Sequence, residues 1–250
     1  MRRFGEELAA AGVIQVGGAF TDIPEADALV KSRPEAFLIG LLFTQGIPAE
    51  RAWAGPWLLM RRLGHLDLAR MADEPEAVRA ALQRSPMLHR FKETLPRWVV
   101  AAARKVLDEY DGDASRIWTP GSRVLDVVER LQAFQGIGRK KAVMGAEMLV
   151  RCLGVSLAGV ECGQVAYDVH VRRVFLRSGL VERDSPEDVE AAARTASPAE
   201  PGLMDLPAWL VGRQWCRPNR PACEACRLAA ACPRRVWLRP EGVGARRRER

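Results

Sequence analysis

No stretch of the chain approaches the ~20 uncharged apolar residues that a membrane-spanning helix needs, so no membrane partner is expected. The opening "MRRFGEELAAAGVIQ" begins basic, but Glu6 and Glu7 interrupt the apolar centre of a secretory signal. A cytoplasmic protein is the expectation, nucleoid-associated in a bacterium, and cysteines in that compartment serve more often as ligands or thiols than as disulfides. Runs of alternating polar and apolar residues, the mark of half-buried strands, are also missing. There is no internal repeat, and the only low-complexity segment is an arginine-rich end. No dimerisation pattern is present, so a monomer is expected. Histidine occurs three times and tyrosine twice, which leaves few residues of either type for chemistry.

What the sequence does hold is helical periodicity, in 250 residues that are 48% hydrophobic and 28% charged. Apolar residues run almost unbroken from Ala36 to Phe43 in "EAFLIGLLFTQ", the mark of a deeply buried helix, and Pro34 suits its first turn. A second helix is expected from Pro48 through Trp53 and Trp57 to Leu63. A third covers "LHRFKETLPRWVVAAARKVLDEY", where Pro96 should kink or divide it. "SRVLDVVERLQAF" repeats its apolar residues at Val124, Leu125, Val128 and Leu131, and "RKKAVMGAEMLVRCL" follows after a tight "QGIG" turn. "HVRRVFLRSG", "PEDVEAAART" and "GLMDLPAWLVGRQW" have the same helical pattern. The fold class is all-α.

The formal charge is +7, with a pI near 9.4, and its distribution says more than its size. Residues 216–250 hold ten arginines against Glu224, Glu241 and Glu249, so the whole excess lies there and the rest of the chain is neutral overall. A cationic surface at one end suits a polyanion such as DNA. A solubilising tail is the plainer reading of "ARRRER".

Four cysteines, Cys216, Cys223, Cys226 and Cys232, form a C-x6-C-x2-C-x5-C pattern. A tetrahedral zinc site commonly uses two hooks with two to four residues between paired ligands, and only Cys223 and Cys226 form such a hook. Four thiolates on one compact loop can instead surround an iron–sulfur cubane. Spacing alone leaves cluster, zinc and unrelated thiols open. Arg217 and Arg220 lie in the first loop, either presented to a phosphate or simply solvated. Cys152 and Cys162 read as structural thiols.

"FQGIGRKKAVMG" gives the chain a helix–hairpin–helix. Gly136 and Gly138 allow positive φ and close approach to the backbone. Amides at the hairpin and at the start of the next helix then form a phosphate site, with Gly136, Ile137, Gly138, Arg139 and Lys141 as candidate DNA contacts. Such contacts position DNA without reading its sequence. Lys140 and Lys141 diverge by about 100° on a helix, so they cannot share one pocket. A helix N-terminus and an apolar wall both depress a lysine pKa below its reference of about 10.4, the setting an imine-forming lysine needs. Phosphate contact alone is the plainer role. Asp168, in "VAYDVHVRR", precedes a helical stretch and would make a good N-cap. His170 reads as a surface or phosphate-contacting residue.

With these residues assembled, the chain resembles the endonuclease III branch of the helix–hairpin–helix DNA glycosylases. That family's pattern is L-P-G-V-G-R-K, then V-D-T-H about 25 residues on, then C-x6-C-x2-C-x5-C. The chain has "FQGIGRK", "YDVH" and the cysteine spacing in that order, over residues 34–232. The resemblance implies a helical barrel over 34–150, with the helix–hairpin–helix at about 122–152. A second domain would be built from 1–33 and 151–250 and carry a 4Fe–4S cluster on Cys216, Cys223, Cys226 and Cys232. It implies Lys140 as nucleophile, Asp168 as its partner carboxylate, and Gln45 as the residue that fills the gap left by an extruded nucleotide. Lys141 stands where the family has threonine.

The implied activity is a bifunctional glycosylase and abasic-site lyase on double-stranded DNA. It would remove an oxidised pyrimidine and cut the strand by β-elimination through a lysine imine. Three departures bear on the lesion: Gln135 for the hairpin proline, Tyr167 before the aspartate, and "GIPAE" after Gln45 in place of A-T-D. Two alternatives follow. One keeps the fold but acts on mismatched, deaminated or alkylated bases. The other is a relative that binds DNA structures with little or no catalysis.

Overall fold

The computed structural model describes residues 1–10 and 20–237. The arginine-rich end of the sequence lies outside the described residues. Among those described, the chain forms twelve α-helices and short 3-10 turns, with no strand; one isolated bridge pairs Arg123 with Ala158. None of these helices is long and apolar enough to cross a membrane. The chain divides into two compact units, Val13–Gly159 in one and Met1–Gly12 with Val160–Arg250 in the other.

The larger unit contains α2 (Pro24–Ser32), α3 (Pro34–Phe43), α4 (Ala49–Leu63), α5 (Leu68–Asp73), α6 (Pro75–Gln83), α7 (Thr94–Tyr110), α8 (Val124–Gln132) and α9 (Arg139–Cys152). Its centre is α3, buried from Ala36 through Phe43. Each large apolar side chain placed there contributes about 1.5–3 kcal/mol of transfer free energy. Two glycines let α3 and α4 interlock. A Cβ on Gly40 would lie 2.4 Å from the Trp53 ring, and one on Gly55 would lie 2.3 Å from the Phe43 ring. The expected boundary at residue 33 moves, because α2 packs on α3 and α4 through buried Ala26 and Val30 and so belongs to this unit. Pro96 neither kinks nor divides α7. It is the third residue of a helix that starts at Thr94, where the missing N–H has no carbonyl to lose.

The smaller unit joins α1 (Arg2–Ala10) to α10 (Val171–Arg177), α11 (Pro186–Ala196) and α12 (Asp205–Gln214). Its core gathers Val171, Val174 and Phe175 of α10 with Val189 of α11 and Ala208 and Val211 of α12. Cys226 and Leu228 pack against the same cluster, so the cysteine loop rests on this core.

Candidate functional site

The turn between α8 and α9 is built against a tryptophan of α7. Gly136 has φ +87°, and a Cβ there would sit 2.5 Å from the Trp98 ring. Backbone conformation and close approach therefore both require glycine at 136. Gly138 differs from expectation: its φ is −84° and it caps α9 in extended geometry. A Cβ at Gly138 would meet nothing within 4 Å, which leaves the outer face of the turn open. Ile137 is buried and its N–H bonds to the Phe134 carbonyl at 3.0 Å. It serves as an anchor of the turn rather than a ligand contact. The amides left to an anion are those of the first turn of α9, which have no acceptor within the helix.

The two lysines of that first turn part as their spacing requires. Lys140 is exposed, as is Arg139. Lys141 is only 4% exposed. Its Nζ donates to the Leu42 carbonyl at 2.9 Å and lies 5.7 Å from the centre of the Trp98 ring. Burial lowers its pKa from 10.5 to about 8, with a further push from the Lys140 charge. The expectation that Lys141 contacts phosphate is thus corrected, since its ammonium points into the protein and is spent on a backbone carbonyl. The apolar wall anticipated for an imine-forming lysine is found around Lys141.

Gln45 is exposed in the turn that follows α3, with its N–H on the Phe43 carbonyl at 2.7 Å. Side chains from three parts of the chain hold the end of α3. Thr44 Oγ1 donates to the Leu41 carbonyl at 2.7 Å, Lys141 takes Leu42, and His89 Nε2 lies 3.1 Å from the Phe43 carbonyl. Burial lowers the pKa of His89, which keeps the ring neutral at ordinary pH. Arg90 Nη1 reaches the Gly46 carbonyl at 3.4 Å. Gln45 was legible in the sequence, but the side chains that brace the turn around it were not.

In the smaller unit Asp168 is the capping residue its position suggests. Its Oδ1 accepts from the N–H groups of His170 and Val171, both at 2.8 Å, at the entrance to α10. This occupies one carboxylate oxygen with backbone donors and fixes the group's orientation. His170 is half-buried, with its ring edge-on to Trp209 and Nδ1 3.0 Å from Arg173 Nη2, and burial lowers its pKa. Tyr167 carries a duty that the sequence did not reveal. Its hydroxyl donates to Asp184 Oδ1 at 2.6 Å, while Arg172 pairs with Oδ2 at 2.7 Å and covers the ring. Burial, with Asp184 beside it, pushes the Tyr167 pKa to about 12.

Cys216, Cys223, Cys226 and Cys232 line one small, partly open cavity, together with Val174, Val211, Leu228 and Arg177. Burial raises the Cys226 pKa, and the other three thiols add to the effect. Among the described residues no three ligating side chains converge as they would on a single metal ion. Four soft thiol donors lining one apolar-walled cavity have the donor chemistry that an iron–sulfur cluster takes. Two buried arginines of α10 hold the loop. Arg173 Nε donates to the Cys216 carbonyl at 2.6 Å and Arg177 Nη1 to the Arg217 carbonyl at 2.7 Å. Their spacing of four put them on one helix face, a signal available in the sequence. Arg217 and Arg220 are exposed on that loop, Arg220 with φ +54°. Of the remaining thiols, Cys152 is raised to about 12 by burial, whereas Cys162 is exposed.

No family model matches the chain. It is 33% identical over 113 residues to "Endonuclease III" of Thermotoga maritima, a match covering 45% of this chain and 48% of that protein. The chain thus spans about half the length of this curated relative. Among solved structures, a trapped covalent intermediate of endonuclease III with DNA superposes with a TM-score of 0.57 at 18% identity, over 84% of this chain and 92% of that one. A thermostable thymine-DNA glycosylase gives 0.61 at 13% identity, over 95% and 97%.

Proposed function

We propose that this chain, endonuclease III-like and built on the fold of the helix–hairpin–helix DNA glycosylases, is a base excision repair enzyme that removes a damaged base from duplex DNA and cuts the resulting abasic site. The observation that carries this reading is the pair of lysines opening α9. Lys140 is exposed at the open turn, while Lys141 is buried and spent on the Leu42 carbonyl. Phosphates would lie on the first-turn amides of α9, and the target nucleotide would leave the stack at a cost of a few kcal/mol.

Lys140 Nζ, once deprotonated, attacks C1′ of the sugar. The glycosidic bond breaks, and the base departs with the bonding pair and takes up a proton. Opening of the sugar ring, with a proton passing to O4′, leaves an imine between Lys140 and C1′. That imine acidifies C2′. Removal of the C2′ proton gives the C1′–C2′ enamine, whose electrons then form the C2′–C3′ double bond and restore the imine as the C3′–O bond breaks and the 3′ phosphate leaves with that bonding pair. Asp168, oriented by its two backbone donors, stabilises positive charge on the sugar and helps move the proton off the lysine. Gln45 fills the space the nucleotide vacates.

Cys216, Cys223, Cys226 and Cys232 would hold a 4Fe–4S cluster. When bound, it would cross-link the loop rigidly, so that Arg217 and Arg220 meet phosphate with little ordering cost. The expected substrate is an oxidised pyrimidine. Pro48, standing where the family's A-T-D has its aspartate, favours a second reading in which the lesion is a mismatched, deaminated or alkylated base.

The test is a panel of end-labelled duplexes carrying thymine glycol, uracil or an alkylpurine. Excision of thymine glycol with strand scission before any alkali treatment is the expected result. Excision of another lesion would select the second reading. Duplex binding with every base retained would leave a DNA-structure-binding relative.

A further inference from the structure

Lys141 occupies a place where a cation is unfavourable. It sits in the first turn of a helix, at the positive end of the dipole, beside the Lys140 charge, and is 4% exposed. Methionine or leucine could cover the same apolar surface without a buried charge. What the ammonium does is join two elements. Its Nζ holds the Leu42 carbonyl, three residues before Gln45, and faces the Trp98 ring. Trp98 in turn carries the hairpin, because Gly136 rests on the same ring at a distance that admits no Cβ. His89 and Thr44 hold the neighbouring carbonyls of α3. The Gln45 turn and the phosphate-facing hairpin are therefore linked through one buried side chain, and all of these residues lie in one compact unit.

We propose that Lys141 is a positioning residue that ties the Gln45 turn to the hairpin, so that the turn enters the duplex at a fixed offset from the phosphates the hairpin holds. This rests on the reading of the hairpin and Gln45 as DNA contacts. It predicts a specific coupling. Lys141 acts on distorted DNA through Gln45, and it adds little to binding of intact duplex, which needs only the hairpin amides and surface cations.

The experiment is a double-mutant cycle on the full chain with Lys141→Met, Gln45→Ala and the pair. Fluorescence anisotropy measures affinity for an intact duplex and for one carrying a tetrahydrofuran abasic analogue. A 2-aminopurine opposite the analogue reports unstacking. Each single variant should lose about tenfold in affinity for the analogue, about 1.4 kcal/mol, and lose the fluorescence rise, with the intact-duplex affinity of Lys141→Met within about twofold of wild type. The double variant should be no worse than either single one, and Lys141→Arg should recover part of the loss. Losses that multiply in the double variant would overturn the proposal. So would a Lys141→Met protein that keeps both signals, or one that weakens intact duplex equally. If Lys141→Met fails to fold, Lys141→Leu, which also removes the donor to Leu42, carries the same comparison. A wild type with no preference for the analogue would overturn the functional reading and this proposal with it. A preference retained by the variant would overturn this proposal alone.

Discussion

Replacing Lys141 by methionine should change the pH dependence of stability more than the stability itself. Burial holds the native amine at about 8 against an ordinary 10.5. At 1.36 kcal/mol for each pKa unit, that difference is about 3 kcal/mol of cost for keeping the ammonium buried. Methionine removes this cost but also removes the hydrogen bond to the Leu42 carbonyl, a loss of about 1–3 kcal/mol. At pH 7 the two nearly cancel, and the variant should lie within about 2 kcal/mol of wild type. The sign of the pH effect follows from proton counting. Between pH 8 and 10.5 the unfolded chain holds the Lys141 proton and the native protein has released it, so wild-type stability rises with pH across that window. By pH 10 the wild type should gain about 2–3 kcal/mol relative to the variant. Of the titratable groups that act on Lys141, His89 is already neutral there, while Lys140 is present in both proteins. Urea unfolding of both proteins from pH 7 to pH 10 gives the difference directly, and other titrations cancel in it. Parallel curves would refute the reasoning, because they would mean that the amine is solvated in the native state.

Gly136→Ala should lower stability by 2 kcal/mol or more, as an order of magnitude, and weaken duplex binding. Gly138→Ala, at an open position of negative φ, should melt within a few degrees of wild type; thermal unfolding and anisotropy of the two variants check both statements. Asp168→Asn should keep the cap on His170 and Val171, with stability within about 1 kcal/mol, yet lose roughly 10²–10⁴-fold in single-turnover strand cleavage; equal cleavage by the two proteins would remove Asp168 from the mechanism. Pure protein should be yellow-brown with a broad band near ~400 nm, and Cys226→Ser should lose the band and soften the loop to proteolysis. Colourless protein with stoichiometric zinc would reassign the four thiols.

Features written locally were the legible ones. The apolar run from Ala36 to Phe43 became the central helix because no polar face was available to turn outward. Asp168 capped the helix behind it, and four cysteines spaced along one loop came to line one cavity. Features that depend on distant carbonyls were not legible. Lys141 turns inward because the end of α3, 99 residues away in sequence, offers an acceptor beneath it. Arg173 and Arg177 turn inward for the same reason, toward carbonyls near Cys216; their spacing of four marks a shared helix face but not the acceptors that face meets. The Tyr167–Asp184–Arg172 group was hidden because an aromatic next to an aspartate carries no sign of its partner across a loop. The effect of Pro96 depends on its context. A proline within a long helical pattern suggests a kink, and only the true start of α7 places it in the first turn.

Borohydride trapping tests the central claim most directly, on a labelled duplex with a single abasic site, comparing wild type with Lys140→Ala and Lys141→Met. The account predicts a covalent adduct with wild type and Lys141→Met, and none with folded Lys140→Ala. An adduct that survives in Lys140→Ala and disappears in Lys141→Met would move the nucleophile to the buried lysine. No adduct from folded wild type carrying its cluster would contradict the lyase mechanism altogether.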